Sequence, residues 1–115
     1  MEAFESLDVW KRASSLSVDV YQLVSDCKDY GFKDQIFRSA LSVPSNIAEG
    51  CERGSRKEYV RFLHIAKGSC AELRTQLYIG IKASILEKSR TSRCVKEAIE
   101  LSKMLQGLIS SLQRP

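Results

Sequence analysis

The sequence predicts an all-α protein, an antiparallel up-down four-helix bundle with a proline-kinked second helix. Apolar residues recur at steps of three and four through nearly the whole chain, which is the spacing of one helix face. No segment alternates apolar and polar residues as a half-buried strand does, and the polar turns between the helical segments are short. We expect the 115 residues to form a single domain, residues 1–115.

The first predicted helix begins at Ser6 or Asp8, since either side chain is a suitable N-terminal cap. Its apolar face continues as far as Cys27. In the "DYGF" segment that follows, we expect Gly31 to end the helix in the left-handed conformation.

The second predicted helix begins near Lys33 or Asp34 and carries two neighbouring apolar stripes. Together they make a face wider than one core requires, so this helix is either buried deep in its own bundle or meets another subunit. Pro44 removes a backbone donor and crowds the preceding turn, so the helix is either kinked at Ser42–Pro44 or split there. The two stripes are Ile36, Ala40, Val43 and Ile47, and Phe37, Leu41, Pro44 and Ala48.

The third and fourth helices are marked by capping signals and by their apolar faces. Gly54 is expected to stop the second helix, and Ser55 followed by Glu58 fits the capping box that starts the third. The third helix is predicted to be the longest, from Ser55 to about Leu86, and its small central residues indicate close approach by a neighbour. After the polar "EKSRTSR" turn, a heptad-like seam predicts the fourth helix. The seam residues are Ala98, Leu101, Leu105, Leu108 and Leu112.

Composition and charge bound the function classes. No apolar run approaches the roughly 20 residues of a membrane-spanning helix. The N-terminal "MEAFESLDVWKR" carries acidic residues where a signal peptide carries positive charge, so we expect a cytoplasmic protein. A net charge of +4, from 18 basic and 14 acidic residues, permits binding to an anionic polymer without requiring it.

The sequence offers no recognisable catalytic or metal-binding constellation. His64 is the single histidine, no E-x-x-H pair is present, and neither a nucleophile elbow nor a P-loop occurs. The four cysteines are too widely separated for a zinc knuckle and are expected to stay reduced: Cys27, Cys51, Cys70 and Cys94. We therefore predict no catalytic residue, no metal and no cofactor, and an enzyme is the function class that the sequence favours least.

Basic residues give the stronger functional indication. Four of them fall within nine residues at the predicted corner between the second and third helices, and such clusters bind phosphate backbones without reading sequence. The alternative is ordinary surface ion pairing, because Glu49 and Arg53 stand four residues apart on one helix. The predicted nucleic-acid-binding residues are Lys11, Arg12, Arg38, Arg53, Arg56, Lys57 and Arg61.

A second polar set is predicted to lie inside the bundle. Asn46 and Glu49 share a face of the second helix, and Glu72 and Gln76 share a face of the third. If these faces meet, the four side chains form a network that fixes helix register. We favour this structural role over a ligand site.

Three stretches of the sequence resemble one known family: "LDVWKRA", "SVPSNIAEGCERGSRKEYVRFLHIAKGSCAEL" and "KMLQGLISSL". They resemble the four-helix-bundle proteins encoded within 23S ribosomal RNA intervening sequences, a family that includes the accessory variability determinant of diversity-generating retroelements. The resemblance covers nearly the whole chain. It implies an antiparallel four-helix bundle assembled into a ring-like homopentamer, with a positively charged surface that engages RNA or DNA. In the retroelement branch it also implies docking onto a reverse transcriptase.

The family motif is matched at many positions, with one departure after the third helix. Relatives usually carry an "LGY"-type turn there, whereas this chain reads "IKASILEKSR". Because nothing in the sequence indicates a neighbouring reverse transcriptase, we favour the ribosomal branch and RNA as the nucleic acid. The alternative is a structural or adaptor oligomer whose main partner is a protein. The motif residues are Trp10, Lys11, Arg12, Pro44, Asn46, Glu49, Gly50, Arg53, Ser55, Arg61, Phe62, Gly68, Ser69, Glu72 and Gln76.

Overall fold

The computed structural model describes residues 3–115, so Met1 and Glu2 of the acidic N-terminal segment lie outside the described residues. A short 3-10 turn, Phe4–Ser6, precedes four α-helices. They are α1 (Asp8–Leu23), α2 (Tyr30–Glu52), α3 (Arg56–Lys82) and α4 (Lys88–Gln113). No strand occurs in this part of the chain, and the predicted all-α four-helix fold is confirmed.

Each helix packs against the next along the chain, and α4 closes the bundle against α1. The molecule measures 47 × 20 × 19 Å, because its 27-residue α3 alone is about 40 Å long and the other helices lie beside it. None of the helices between residues 3 and 115 contains an apolar stretch that is long enough to cross a membrane. All four helices contribute to one apolar core, whose largest fully buried side chains include Val20, Ile36, Ile47, Leu63, Leu73, Leu77, Leu101, Leu105 and Ile109.

The connection between α1 and α2 differs from the prediction. The Asp29 carboxylate accepts a hydrogen bond from the Phe32 N–H at 3.1 Å, so it caps a helix that begins at Tyr30. Gly31 therefore lies inside the first turn of α2 and does not have the positive φ of a left-handed stop. The predicted stop at Gly31 is wrong, and α1 instead ends at Leu23.

The corner between α2 and α3 follows the predicted stop-and-cap chemistry. Gly54 adopts a φ of 81°, and the Ser55 hydroxyl accepts a hydrogen bond from the Glu58 N–H at 3.1 Å. The predicted C-terminal end of α3, at about Leu86, is too late in the chain. The helix ends at Lys82, and a turn follows. In this turn the Leu86 N–H donates to the Gly80 carbonyl at 3.0 Å, which folds the chain back over the helix end.

Pro44 lies within α2 without splitting it. The helix is continuous from Tyr30 to Glu52, so of the two alternatives the split is ruled out and the kink stays a prediction. One of the two apolar stripes, which includes Ile36 and Ile47, is buried in the core. The other is partly uncovered, with Leu41 42% exposed.

The seam between α2 and α3 is close because small residues stand at its two ends and its middle. A Cβ on Gly50 would lie 2.7 Å from the Cβ of Phe62. Midway, the hydroxyls of Ser42 and Ser69 are hydrogen-bonded at 2.7 Å. Along the seam, the residue numbers of facing positions increase on α2 as they decrease on α3, as expected for two helices that run in opposite directions.

At the far end of this seam, Gly80 makes room for two side chains. A Cβ there would lie 2.5 Å from Leu86 Cδ1, 2.8 Å from Leu86 Cγ and 3.1 Å from Phe32 Cζ. Leu86 is itself buried, so it has little room to swing aside. The missing side chain at Gly80 therefore lets the post-α3 turn and the start of α2 pack on the same spot.

We expect Gly80→Ala to lower the free energy of unfolding by about 1–3 kcal/mol, because the added methyl overpacks this contact. Gly107→Ala on α4 is the matched control, since its Cβ would meet nothing within 4 Å. That change is expected to raise stability by about 0.5–1 kcal/mol through helix propensity alone. Urea denaturation followed by circular dichroism measures both, and equal shifts in the two variants would contradict the packing argument.

Candidate nucleic-acid interface

The basic residues at the α2–α3 corner fall into two groups with different surroundings. Arg53 and Arg61 are held by neighbouring side chains from α2 and α3. Arg56 and Lys57, in the first turn of α3, are exposed and form no ion pair with the described residues. The four basic residues therefore do lie together at the α2–α3 corner, but they differ in how freely their charges can meet a ligand.

The held pair is fixed by carboxylates and by one aromatic ring. Arg61 donates to both oxygens of Glu58 at 2.9 and 3.3 Å, and Arg53 approaches Glu49 at 3.7 Å. Both guanidinium carbons lie over the ring of Phe62, 4.6 Å from its centroid for Arg61 and 4.9 Å for Arg53. The hydrogen bonds from Arg61 lower the pKa of the Glu58 carboxyl despite the opposing effect of desolvation, so this carboxylate remains charged at neutral pH.

The unpaired group belongs to a groove between the start of α3 and the end of α4. Arg56 and Lys57 line one side, Arg114 lines the other, and Val60 and Leu112 add apolar surface. Sequence reasoning missed Arg114 because it lies almost 60 positions from the cluster. The predicted topology could have indicated Arg114, since an up-and-down bundle brings the end of its fourth helix beside the start of its third.

Two other predicted contact residues lie away from this groove. Arg12 crosses from α1 to α4 and donates to both oxygens of Glu97, at 2.9 and 2.6 Å. Glu97 stands sixteen residues before the end of α4, which is about 24 Å along the helix. Lys11 precedes this pair on α1 and is exposed, with no ion pair in residues 3–115. The structure thus uses Arg12 to join two helices.

Arg38 is also separate from the corner. It stands fifteen residues before Arg53 on α2, about 22 Å along the helix axis, and pairs with Asp34 at 2.9 Å. Arg38 is therefore separate from the basic cluster at the α2–α3 corner, and its contact with nucleic acid stays a prediction.

The predicted inward-facing network of four polar residues does not form among the described residues. Glu49 and Glu72 are exposed, and Glu49 reaches along its own helix to Arg53. Gln76 is partly buried, and its Oε1 finds no hydrogen-bond partner among the residues described. Helical spacing placed these residues on the right helices but did not fix which side faces the core.

A smaller polar link takes the place of that network. The Asn46 amide donates to the carbonyl and the hydroxyl of Ser42 at 2.8 and 2.9 Å, and Ser42 meets Ser69 across the seam. The Ser69 hydroxyl also lies 3.1 Å from the Ile65 carbonyl. Of the predicted four, only Asn46 joins this connection between α2 and α3.

The cysteines and the histidine do not form a chemical site in the described residues. No group of three or more His, Cys, Asp and Glu side chains there could hold a metal ion, and His64 is exposed. Burial raises the pKa of the Cys70 thiol to about 11 and also raises that of Cys94. Both thiols are therefore protonated at neutral pH, and a protonated thiol is a poor nucleophile.

Comparisons with known proteins give one family and one fold. The model of the family described as "23S rRNA-intervening sequence protein" matches residues 5–107. Among solved structures, the fold is similar to the 1.70 Å crystal structure of a protein with unknown function from the S23 ribosomal protein family of Bacteroides thetaiotaomicron. The TM-score is 0.82 at 25% sequence identity, over 88% of this chain and 97% of that one. No curated protein matches the chain.

The Arg12–Glu97 pair is expected to support the packing of α1 on α4. Both side chains are partly exposed, at 42% and 30%, so solvent screening limits the coupling to about 0.5–1 kcal/mol. A double-mutant cycle of Arg12→Ala and Glu97→Ala, followed by urea unfolding, measures this coupling. Additive effects of the two substitutions would show that the pair contributes nothing to stability.

Proposed function

The chain belongs to the family of 23S rRNA-intervening sequence proteins, and from this premise we propose that it is a non-catalytic protein that binds RNA electrostatically as a homo-oligomer. One observation carries the proposal. Arg56, Lys57 and Arg114 line one groove at one end of the bundle, and its other described lining residues, Val60, Leu112, Gln113 and Pro115, carry no acidic side chain. RNA is the favoured nucleic acid because the family takes its name from 23S rRNA.

The groove supports binding through phosphate neutralisation. Each cation that meets a phosphate releases condensed counterions, so affinity falls as salt rises. Three such contacts give a slope of log affinity against log salt of about −2 to −3 for each chain. The apolar floor of Val60 and Leu112 carries no pattern of donors for reading bases, which favours binding without sequence specificity.

Oligomerisation would multiply this weak contact. A second site on the same particle binds an RNA already held by the first, so affinity rises without any new type of contact. The ring-like homopentamer implied by the family resemblance would carry five such grooves. We propose that assembly, more than the single groove, sets the affinity.

Charge reversal at Arg56 and Lys57 tests the groove directly. We expect the double variant Arg56→Glu/Lys57→Glu to lose about tenfold or more in affinity for a structured RNA at low salt, with a shallower salt slope. Acidic residues in the first turn of a helix are favourable, so α3 should remain folded. Fluorescence anisotropy titrations at rising salt measure both quantities.

The matched control reverses two exposed lysines on the side of α4, Lys96→Glu/Lys103→Glu. Each pair of substitutions removes four units of charge from a chain of net charge +4, so long-range attraction falls equally. The proposal expects the control to keep most of the wild-type affinity. Equal losses in both variants, or wild-type affinity that does not change with salt, would contradict a specific groove.

A second candidate function is an adaptor oligomer whose main partner is a protein. The observation that favours it is an apolar groove between α1 and α2 with Val18 and Tyr21 more than half exposed and Leu41 42% exposed. Phe37 and Pro44 also line it, together with two serines of α1, Ser14 and Ser17. Contiguous apolar surface of this kind marks protein interaction sites more often than nucleic-acid sites.

Light scattering on the wild type and on Val18→Glu/Leu41→Glu tests whether the α1–α2 groove joins copies of this chain. A homopentamer has five times the 13.0 kDa mass of one chain, and we expect the variant to lose this mass while keeping its helical circular dichroism. A monomeric wild type would contradict the homo-oligomer and the avidity argument together. An oligomeric variant with unchanged mass would show that the α1–α2 groove faces something other than a second copy.

A further inference from the structure

The ring of Phe62 lies under two arginines that come from different helices. Arg53 immediately follows the last residue of α2, Arg61 lies in the second turn of α3, and both guanidinium carbons are within 5 Å of the ring centroid. The ring is buried, with 8% of the residue exposed. This is within the range at which a cation is attracted to the face of an aromatic ring.

Gly50 fixes the place of that ring. Its missing side chain lets the end of α2 approach α3, because a Cβ there would lie 2.7 Å from Phe62 Cβ and 3.2 Å from the Tyr59 carbonyl oxygen. Phe62 is therefore set by the backbones of both helices. A guanidinium group that rests on this ring takes its position from the fold and not from a flexible side chain alone.

The two arginines differ in how many donors they have left. Arg61 donates hydrogen bonds from Nε and Nη2 to Glu58, so two of its five guanidinium N–H donors are already used. Arg53 approaches Glu49 only to 3.7 Å, which is beyond hydrogen-bond distance. The Arg53 N–H groups make no hydrogen bond with the described side chains and can meet an anion, while the ion pair with Glu49 and the stack on Phe62 hold the guanidinium group in place.

We propose that Phe62 is a positioning residue of the RNA interface, which pre-orders Arg53 as a phosphate contact beside Arg56 and Lys57. The proposal rests on the RNA-binding function proposed above. A long free arginine side chain loses rotamer freedom when it binds, and one already stacked on a ring has less to lose. Phe62 thus raises affinity without touching the RNA.

Substitutions that remove the stack but keep the charge test this role. Phe62→Leu retains an apolar side chain in the core, and Arg53→Lys retains the cation while losing the planar group that stacks. Each is expected to weaken RNA binding about two- to fivefold with an unchanged salt slope, since the number of phosphate contacts stays the same. Arg53→Ala should weaken binding further and reduce the slope by about one.

Three controls separate positioning from folding. Phe62→Tyr keeps the ring and should restore wild-type affinity. Phe32→Leu, which loosens the contact with Gly80 at the other end of the α2–α3 seam, should cost stability without changing RNA affinity. Adding Phe62→Leu to Arg53→Ala should weaken binding no further, because the arginine that the ring positions is already absent.

The outcomes distinguish this inference from the function on which it rests. If Phe62→Leu and Arg53→Lys bind as tightly as the wild type while Arg53→Ala is weaker, Phe62 has no positioning role and RNA binding stands. If Phe32→Leu weakens binding as much as Phe62→Leu, the effect is one of stability, and the inference is overturned. If wild-type affinity shows no salt dependence, the proposed function itself fails.

Discussion

Gly50 and Gly80 stand near the two ends of the seam between α2 and α3, where even a methyl group would come within 3 Å of a neighbouring side chain. Between them, Ser42 and Ser69 share a hydrogen bond instead of interleaving larger side chains. This close seam sets the geometry of the α2–α3 corner. It places Phe62 under Arg53, and it sets the direction in which the first turn of α3 presents its charges.

The basic corner shows why a count of charges describes an interface poorly. Arg53 and Arg61 each have a carboxylate nearby and a ring beneath, but only the carboxylate beside Arg61 accepts hydrogen bonds, so the field of Arg61 is the more compensated of the two. Arg56 and Lys57 have neither within the described structure, and Arg114 joins them from the other end of the chain. The charge available to a phosphate therefore depends on which side chains lack partners, and a modest net charge of +4 is compatible with a locally cationic groove.

The features that local chemistry decides were predictable from the sequence. Gly54 and Ser55 form their turn and cap within four residues, and the buried apolar stripe follows from helical period alone. The predictions were wrong where two local sequence signals competed, or where tertiary packing determined which residues are buried or adjacent. Asp29 caps α2 at a start before Gly31, so Gly31 does not end α1, and Glu49 and Glu72 are exposed although helical spacing allowed them to face inward. The groove required Arg114, which no local pattern links to Arg56.

The apolar groove and the basic groove occupy different parts of the bundle and share no residue. The first lies between α1 and α2, whereas the second lies between the start of α3 and the end of α4. A partner that covers the first leaves the second open, so assembly and RNA binding need not compete. Each added copy would then contribute another basic groove to the same particle. In the oligomer proposed above, avidity across copies would supply the affinity that a single groove lacks.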